Sequence, residues 1–381
     1  MSDIVISGYY GLGNSGDEAL LKSIIENLQE IAPDVTITAL SGNVRRTKQQ
    51  YGAINTVNRF NIFSVLRELR GAKLLLSGGG TLIQDATSTK SLLYYLGIIY
   101  AAKRFGLKVM LYANGIGPVE KQRNRNMVRH VVNKADKNVG KVHRVLNGVD
   151  LITLRENESL HEIERCKITK PKVVVTADPA FNLTPANAVR EDELLAEFSV
   201  PTDKKLLAVS VRGWKQLGDA FEIKMACALD RLSEEGYFPV FMPMQMSTDL
   251  AISRRIIQRM KKESVIIDRE LPVSELLALI GRCDIACGMR LHMLIFASVM
   301  NVPMTGIVYD PKIRGFMEYM NQKKYVELSD FNAETFFEMV LECGKNSEQM
   351  KAELKKTSAP LRKRARENAQ MAIELLKRKK K

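Results

Sequence analysis

No cysteine of this chain belongs to a CxxC pair, and no histidine stands at ligand spacing from one. The five cysteines (Cys166, Cys227, Cys283, Cys287, Cys343) are odd in number and sit in apolar contexts, so they read as reduced core residues, not as a disulfide framework or a metal site. No apolar stretch reaches the roughly 18 residues that a membrane-spanning helix requires. The opening MSDIVISGYYG puts a charge and a turn where a signal peptide needs an apolar run, and a cytoplasmic location is the expectation. Prolines are few (12 of 381 residues), while hydrophobic residues make up 45% and charged residues 26%, which excludes a disordered or collagen-like chain.

What is present is a length suited to two domains, or three small ones, and a surplus of positive charge. The net charge is 57 − 43 = +14, which points to an anionic partner: nucleic acid, a membrane surface or a phosphorylated substrate. From Lys351 onward twelve Lys or Arg stand against three Glu, so +9 of that total lies in the last segment.

Short apolar runs alternate with amphipathic stretches, the pattern of parallel strands joined by crossover helices. Strands are expected at 4–7, 35–40, 73–77, 108–113, 151–153 and 173–176, with helices starting near Asp17, Ile62, Thr89, Glu120 and Asn157. The polar run NLTPANAVR at 182–190 breaks the pattern and reads as a linker. A second alternating series has strands near 206–211, 238–242, 265–268, 285–287 and 304–307. The expected architecture is α/β with two Rossmann-like doubly wound domains facing across a cleft. Their bounds are 1–182 and 190–345, followed by a basic helical segment at 346–381 that packs back on the first domain or meets a membrane. Ligands in this architecture bind outside the carboxyl ends of the strands.

Three glycine-rich turns follow strands of the first half. Gly8-Tyr9-Tyr10-Gly11-Leu12-Gly13-Asn14-Ser15-Gly16-Asp17-Glu18 matches GxGxxG through Gly11, Gly13 and Gly16, which raises an NADP-binding oxidoreductase, with Arg45 and Arg46 available to a 2′-phosphate. Against it, Asp17 and Glu18 stand where a pyrophosphate would sit; the plain alternative is a tight turn with Asp17 as helix cap. Ser77-Gly78-Gly79-Gly80-Thr81, with Asp85 beyond it, and Asn114-Gly115-Ile116-Gly117-Pro118 repeat the device. Consecutive glycines pack nothing, so a close approach by backbone or ligand is the better reason for them.

In the second half, Cys287-Gly288-Met289-Arg290-Leu291-His292 places Arg290 and His292 at a helix start, where amide groups attract anions. The plain alternative is a core histidine beside a solvated arginine. His130, His143 and His161 lie in polar helical stretches and read as surface residues. Arg155, Arg212 and Lys312 each follow a strand; singly they read as surface ion-pair partners, and jointly as a site for a small anion bearing phosphate and carboxylate.

The segments GYYGLGNSGDEALL, LLSGGGTLIQD, YANGIGPV, LITLRENES, ADPAF and GMRLHMLIFA resemble, in order, the polysaccharide pyruvyltransferase family of the bacterial cell-surface polymer type. The resemblance implies a GT-B-like pair of domains and phosphoenolpyruvate as donor. It also implies a pyruvate ketal formed on a sugar, expected to be N-acetylmannosamine in a lipid-diphosphate-linked precursor. It places Arg290 and His292 in the donor site as catalytic residues, and Arg155, Lys312 and Arg212 as further donor-binding positions. Glu156-Asn157 departs from the acidic pair usual after that arginine.

Ketal formation needs an acid for the methylene carbon, cations for the phosphate and a base for the sugar hydroxyls. His292 suits the acid, because an imidazole exchanges protons near neutrality. The first-half rim, with Gly13, Asn14, Asp17, Glu18, Gly79, Gly80, Asp85 and Asn114, is expected to bind the acceptor. The scheme requires no metal and no cofactor beyond the co-substrate. The rival readings are a GT-B glycosyltransferase using a sugar nucleotide and the NADP enzyme. A nucleic-acid partner is not expected, because the terminal charge lacks interleaved aromatics. The stripe Leu361, Ala365, Ala369, Ala372, Leu376 with the basic 377–381 end is expected either to pack on the protein or to hold an anionic membrane, at the inner face of which the enzyme would work.

Overall fold

The computed structural model describes residues 2–85, 88–119, 128–213 and 218–378, the side chains of 128–136 excepted. By its contacts the chain divides into two compact units. The first holds Met1–Leu12, Asp17–Asn182 and Leu361–Lys381, and the second holds Gly13–Gly16 and Leu183–Pro360.

The first unit is built on seven parallel strands: β1 (Ile4–Tyr10), β2 (Ile37–Ser41), β3 (Asn55–Asn58), β4 (Leu74–Gly78), β5 (Lys108–Asn114), β6 (Leu151–Leu154) and β7 (Lys172–Val175). Their order in the sheet is β3-β2-β1-β4-β5-β6-β7. The intervening helices are α1 (Ser15–Ile31), α2 (Val44–Gln50), α3 (Ile62–Gly71), α4 (Thr89–Arg104), α5 (Val128–Leu146) and α6 (Ser159–Arg165). Both faces of a parallel sheet are covered, so its strands read as near-continuous apolar runs and successive side chains enter different cores. Ile4, Ile6, Leu74, Leu76, Met110 and Tyr112 meet α1 on one face. Val5, Leu75, Val109 and Leu111 meet α3 and α4 on the other.

The second unit carries six parallel strands: β8 (Lys205–Ser210), β9 (Tyr237–Phe241), β10 (Val265–Ile266), β11 (Ile285–Gly288), β12 (Met304–Val308) and β13 (Tyr325–Glu327), in the order β10-β9-β8-β11-β12-β13. Its helices are α7 (Ala188–Glu197), α8 (Asp219–Glu234), α9 (Met246–Arg259), α10 (Val273–Gly281), α11 (Leu291–Met300), α12 (Pro311–Tyr319) and α13 (Ala333–Lys345). Phe221, Met225, Leu229 and Leu232 of α8 pack with Phe336 and Val340 of α13 over Leu207, Val209 and Ile285.

The strand order reverses direction between β1 and β4 in one sheet and between β8 and β11 in the other. At such a switch the loops leave in opposite directions and open a crevice at the carboxyl ends. The sequence motifs lie on these loops.

The last helix, α14 (Ser347–Lys377), contains Pro360, which cannot donate to the carbonyl of Lys356. From Leu361 onward it belongs to the first unit, where Leu361, Ala365, Ala369 and Ala372 are at most 3% exposed. Ala369, Ala372, Ile373 and Leu375 complete the core on the α1 face, so the stripe packs on protein and offers no lipid-facing side. Thr176 donates to Oδ1 of Asn368 (2.8 Å) and Nδ2 of Asn368 donates to the Ala177 carbonyl (3.3 Å), which fixes the register of this helix against the end of β7.

Several expectations are corrected. Cys227 is exposed, whereas the other four cysteines are buried. α1 starts at Ser15, so Asp17 lies within its first turn instead of capping it. α6 starts at Ser159, two residues beyond Asn157. α7 begins at Ala188, inside the run read as a linker. The helix start expected near Glu120, the His130 side chain and Lys379–Lys381 lie outside the described residues. His143 and His161 are exposed, as their polar helical stretches led one to expect.

Candidate active site

In the first unit five strand ends meet. The Tyr10 hydroxyl donates to the Gly78 carbonyl (2.5 Å), tying the turn after β1 to the end of β4 across the switch. Gly11 turns the chain with φ +72°, and its N–H donates to Oε1 of Glu18 at 2.7 Å. Glu18 is buried, and burial pushes its carboxyl above the usual range, against the Gly11 hydrogen bond and the Arg46 charge. Its carboxylate holds the turn closed.

Gly79 and Gly80 follow with φ +64° and +71°. A Cβ at Gly79 would stand 2.8 Å from Leu20, and one at Gly80 would stand 3.2 Å from Oδ1 of Asp17, so the first turn of α1 lies against this double-glycine turn. Asn114 is fully buried and donates to the carbonyls of Ser77 (2.8 Å) and Tyr112 (3.2 Å), locking β4 to β5. Asp85 is buried as well and accepts from Asn138 of α5 at 2.9 Å. Asn114, Asp85 and Glu18 are thus placed inside the rim, while Asp17, Gly79 and Gly80 form its turn.

Arg155 leaves β6 and is 7% exposed. Its Nε donates to Glu156 (2.7 Å), Nη1 to Asp178 (3.0 Å) and Nη2 to Thr81 (3.3 Å). Burial opposes the charge, but Glu156 and Asp178 outweigh it and hold the guanidinium above its ordinary value. Each donor nitrogen already has a partner. A Cβ at Gly115 would lie 2.6 Å from Glu156 and 3.3 Å from Arg155, which explains a glycine after β5.

In the second unit the loops of the β8/β11 switch bring Arg212, Arg290 and His292 to the carboxyl rim, with Lys312 after β12. Arg290 precedes α11 in extended conformation (φ −91°). Its Nε donates to Oδ2 of Asp249 at 2.9 Å, and Nη2 donates to Oδ1 of Asp249 (2.6 Å), Thr248 (2.9 Å) and Gln245 (3.2 Å). Asp249 has no exposed surface, and it also accepts from the Gln245 N–H (3.1 Å) and the Thr248 hydroxyl (2.8 Å). Buried polar groups matched this fully specify one geometry.

His292 stands in the first turn of α11, a helix with no acidic residue there. Gly16 packs against it, so that a Cβ at Gly16 would be 2.1 Å from Nδ1. Within the same unit Ser15 N–H donates to the Met244 carbonyl (2.8 Å), Asn14 bridges to Gln245, and a Cβ at Gly13 would stand 2.3 Å from Glu270. The segment Gly13–Gly16 therefore belongs with the Arg290 and His292 loops.

Arg212 donates to the Tyr309 hydroxyl and stacks over its ring with Cζ 4.9 Å from the centroid. Asp310 caps α12 through the Lys312 N–H (3.1 Å) and pairs with Lys312 Nζ at 3.3 Å. A cavity of about 470 Å³ adjoins this loop, lined by Tyr309, Asp310, Phe221, Lys224 and Arg314 among others. None of Arg212, Lys312, Arg290 and His292 lines it.

The structure thus gathers Gly13, Asn14, Arg212, Arg290, His292 and Lys312 in the second unit, and Asp17, Glu18, Gly79, Gly80, Asp85, Asn114 and Arg155 in the first. The sequence motifs already contained Asp178 (in ADPAF) and Thr81 (in the glycine turn) without giving either a role, while Gln245, Thr248 and Asp249 were not singled out. Their signal was available in MPMQMSTD, a further run that follows a strand.

Two units, each a parallel sheet with the motif-bearing loops at its switch point, define the class of fold: α/β with two Rossmann-like sheets. Solved structures of similar fold include a glycosyltransferase from Rickettsia africae (TM-score 0.64, 15% identity, 99% of this chain and 100% of that one). Another is HepE of Anabaena, solved in complex with UDP-glucose (TM-score 0.63, 12% identity, 99% of each chain). The sequence profile described as polysaccharide pyruvyl transferase matches residues 14–311, and the chain belongs to that family. It is an enzyme that transfers pyruvate in polysaccharide biosynthesis. The amylovoran biosynthesis protein AmsJ of Erwinia amylovora is similar to it at 23% identity over 374 residues, covering 83% of this chain and 86% of AmsJ.

Proposed function

We propose that the donor is phosphoenolpyruvate. The acceptor in this reading is a pair of hydroxyls on a sugar, N-acetylmannosamine of a lipid-diphosphate-linked cell-wall precursor, and the products are a pyruvate ketal and phosphate. The observation that carries the donor assignment is the start of α11 at the β8/β11 switch, where Asp249 fixes the Arg290 guanidinium and His292 sits in an acid-free first turn.

His292 protonates the methylene carbon, which leaves positive charge at the central carbon. One sugar hydroxyl adds there and loses its proton. The carbon–oxygen bond to phosphate then breaks, and the second hydroxyl closes the ketal. One of the two hydroxyl protons replaces the proton His292 gave, and the other leaves on the phosphate. Arg290 offers Nη1 to the anion, since Nε and Nη2 are held by Asp249. Arg212 and Lys312 supply further cationic charge on the same rim.

Arg155, with all three nitrogens engaged, acts in this reading as a clamp joining the ends of β4, β6 and β7 rather than as a donor ligand. Asp17, beside the Gly79–Gly80 turn, orients or deprotonates the acceptor. The basic end at 377–381 holds the enzyme at an anionic inner membrane face, because each such residue contributes about 1 kcal/mol near anionic lipid.

The test is incubation with phosphoenolpyruvate and lipid-linked disaccharides carrying different second sugars, followed by phosphate assay and mass spectrometry. Phosphate release with a pyruvyl mass increment on the N-acetylmannosamine acceptor is expected. Turnover of a sugar nucleotide in place of phosphoenolpyruvate would overturn the donor assignment.

A further inference from the structure

Among the described residues, ten large hydrophobic side chains are exposed, and six of them (Tyr9, Phe60, Ile62, Phe63, Leu93, Tyr100) come from three neighbouring segments of the first unit. Phe60 and Phe63 are the most exposed of that six, at 69% and 83%. Arg59 organises the cluster from beneath. It is 6% exposed, donates to the Gly8 carbonyl (2.6 Å) and to the Tyr95 hydroxyl (3.2 Å), and lies within 5.8 Å of the ring centres of Tyr9, Phe60, Tyr94 and Tyr95. Asn61 caps α3 through the Ser64 N–H, so the residues just after it are held in a defined turn and not in a loose loop.

α4 extends this surface. Leu92, Tyr95, Leu96, Ile99 and Ala102 face the core, yet the outward stripe is Lys90, Leu93, Gly97, Tyr100 and Arg104. A surface helix ordinarily presents a polar outer face. This one presents an apolar centre between two basic ends, and α4 contains no acidic residue. Exposed Arg67 and Arg70 on α3 add to the charge. Over residues 43–104 there are ten Lys or Arg against Glu68 and Asp85, a net of 10 − 2 = +8.

We infer that this face, the Phe60–Phe63 turn together with the outer stripe of α4, docks on an anionic lipid surface. Aromatic and aliphatic side chains enter the headgroup boundary while Lys90, Arg104, Arg67 and Arg70 meet the anionic headgroups. A second copy of the chain fits less well, because a symmetric contact would set the same basic residues against each other. The inference shares with the proposed function a position at a membrane but rests on different residues from the tail, so the two separate experimentally.

The full chain is mixed at low salt with vesicles of equal parts phosphatidylcholine and phosphatidylglycerol, or of phosphatidylcholine alone, and sedimented. The parent is expected to bind the anionic vesicles preferentially. Phe60→Ser/Phe63→Ser should cut that binding roughly tenfold or more, with unchanged circular dichroism and melting temperature, and Lys90→Glu/Arg104→Glu should weaken its preference for anionic lipid, both in the full chain and in the chain lacking 377–381. Deleting 377–381 should leave the sensitivity to the phenylalanines in place. Equal binding by parent and phenylalanine variant, or complete loss on deleting the tail alone, overturns the inference. So does a parent dimer in sedimentation velocity that the phenylalanine variant turns to monomer. Failure of all these proteins to use phosphoenolpyruvate would sink the proposed function and leave the lipid result standing.

Discussion

Asp249 holds Arg290 through both carboxylate oxygens and has no exposed surface. Removing one partner of a buried pair strands the other charge, at a cost of about 3–5 kcal/mol. Asp249→Ala should therefore lower stability by about that amount in urea titration, and Asp249→Asn by less, since an amide still accepts one of the hydrogen bonds. His292→Ala should behave oppositely. Its ring is half-buried against Gly16 and Phe296, so the variant should slow pyruvate transfer by about 10²–10⁴ while lowering stability far less than Asp249→Ala does. Parent-like rates in this variant would remove His292 from the chemistry.

Glu18 adds a pH effect of definite sign. Its folded value lies above the ordinary carboxylate value, chiefly through burial. Between the unfolded and folded values the folded chain keeps a proton that the unfolded chain has released. The favourable term is thus present below the unfolded value and is lost as pH rises through the folded one. Glu18→Gln keeps an oxygen for the Gly11 N–H and should flatten that decline. Unfolding free energies at pH 4, 5 and 7 with the same slope in both proteins would contradict it.

At the scale of elements, what matters is how closely the glycine turns let other groups approach. Gly16→Ala places a methyl where Nδ1 of His292 now lies, and Gly79→Ala forces an L residue into φ +64° against Leu20. The first should reduce the transfer rate more than the stability. The second should cost about 1–2 kcal/mol in unfolding with a smaller effect on rate, since a left-handed alanine is strained by about that much. Steady-state kinetics and denaturant titration on the two variants distinguish these outcomes.

The central strands were legible because burial on both faces forces long apolar runs. β3, with the sequence NTVN, and β13, with YVE, escaped notice because they are short, half-exposed edge strands without an apolar run, whereas the edge strand β7 carries valines at 173–175 and was legible. α2 was missed for a related reason: Thr47 is its one buried residue, which leaves no apolar stripe to read.

For the molecule as a whole, the C-terminal helix decides the integrity of the first unit. Ala369, Ala372, Ile373 and Leu375 belong to its core, and Asn368 is bonded to the end of β7. Deleting 361–381 should expose the α1 face and lower the melting temperature strongly. Deleting only 377–381 should leave the melting temperature intact and weaken binding to anionic vesicles. Positive charge is concentrated in two segments, +8 over residues 43–104 and +9 from Lys351 onward, so the other residues of the chain carry 14 − 17 = −3. Steep salt dependence of vesicle binding should accordingly survive neutralising the exposed basic residues of either segment alone and vanish only when both are neutralised.

The sequence alone determined the class of fold, through apolar runs at strand length and amphipathic stretches between them, and it placed the glycine turns, Arg290 and His292 at strand ends. These are local properties, fixed by periodicity and by backbone freedom. Only the tertiary structure decided which groups meet. Arg155 and Asp178 are 23 residues apart and Arg290 and Asp249 are 41 apart, and no pattern in the chain records that these charges neutralise each other. The same holds for the tail, whose stripe of leucine and alanine is read equally well as a lipid face or a protein face. It packs on protein because the sheet leaves one side of β1, β4 and β5 open to a helix with small side chains, and the end of this chain supplies it.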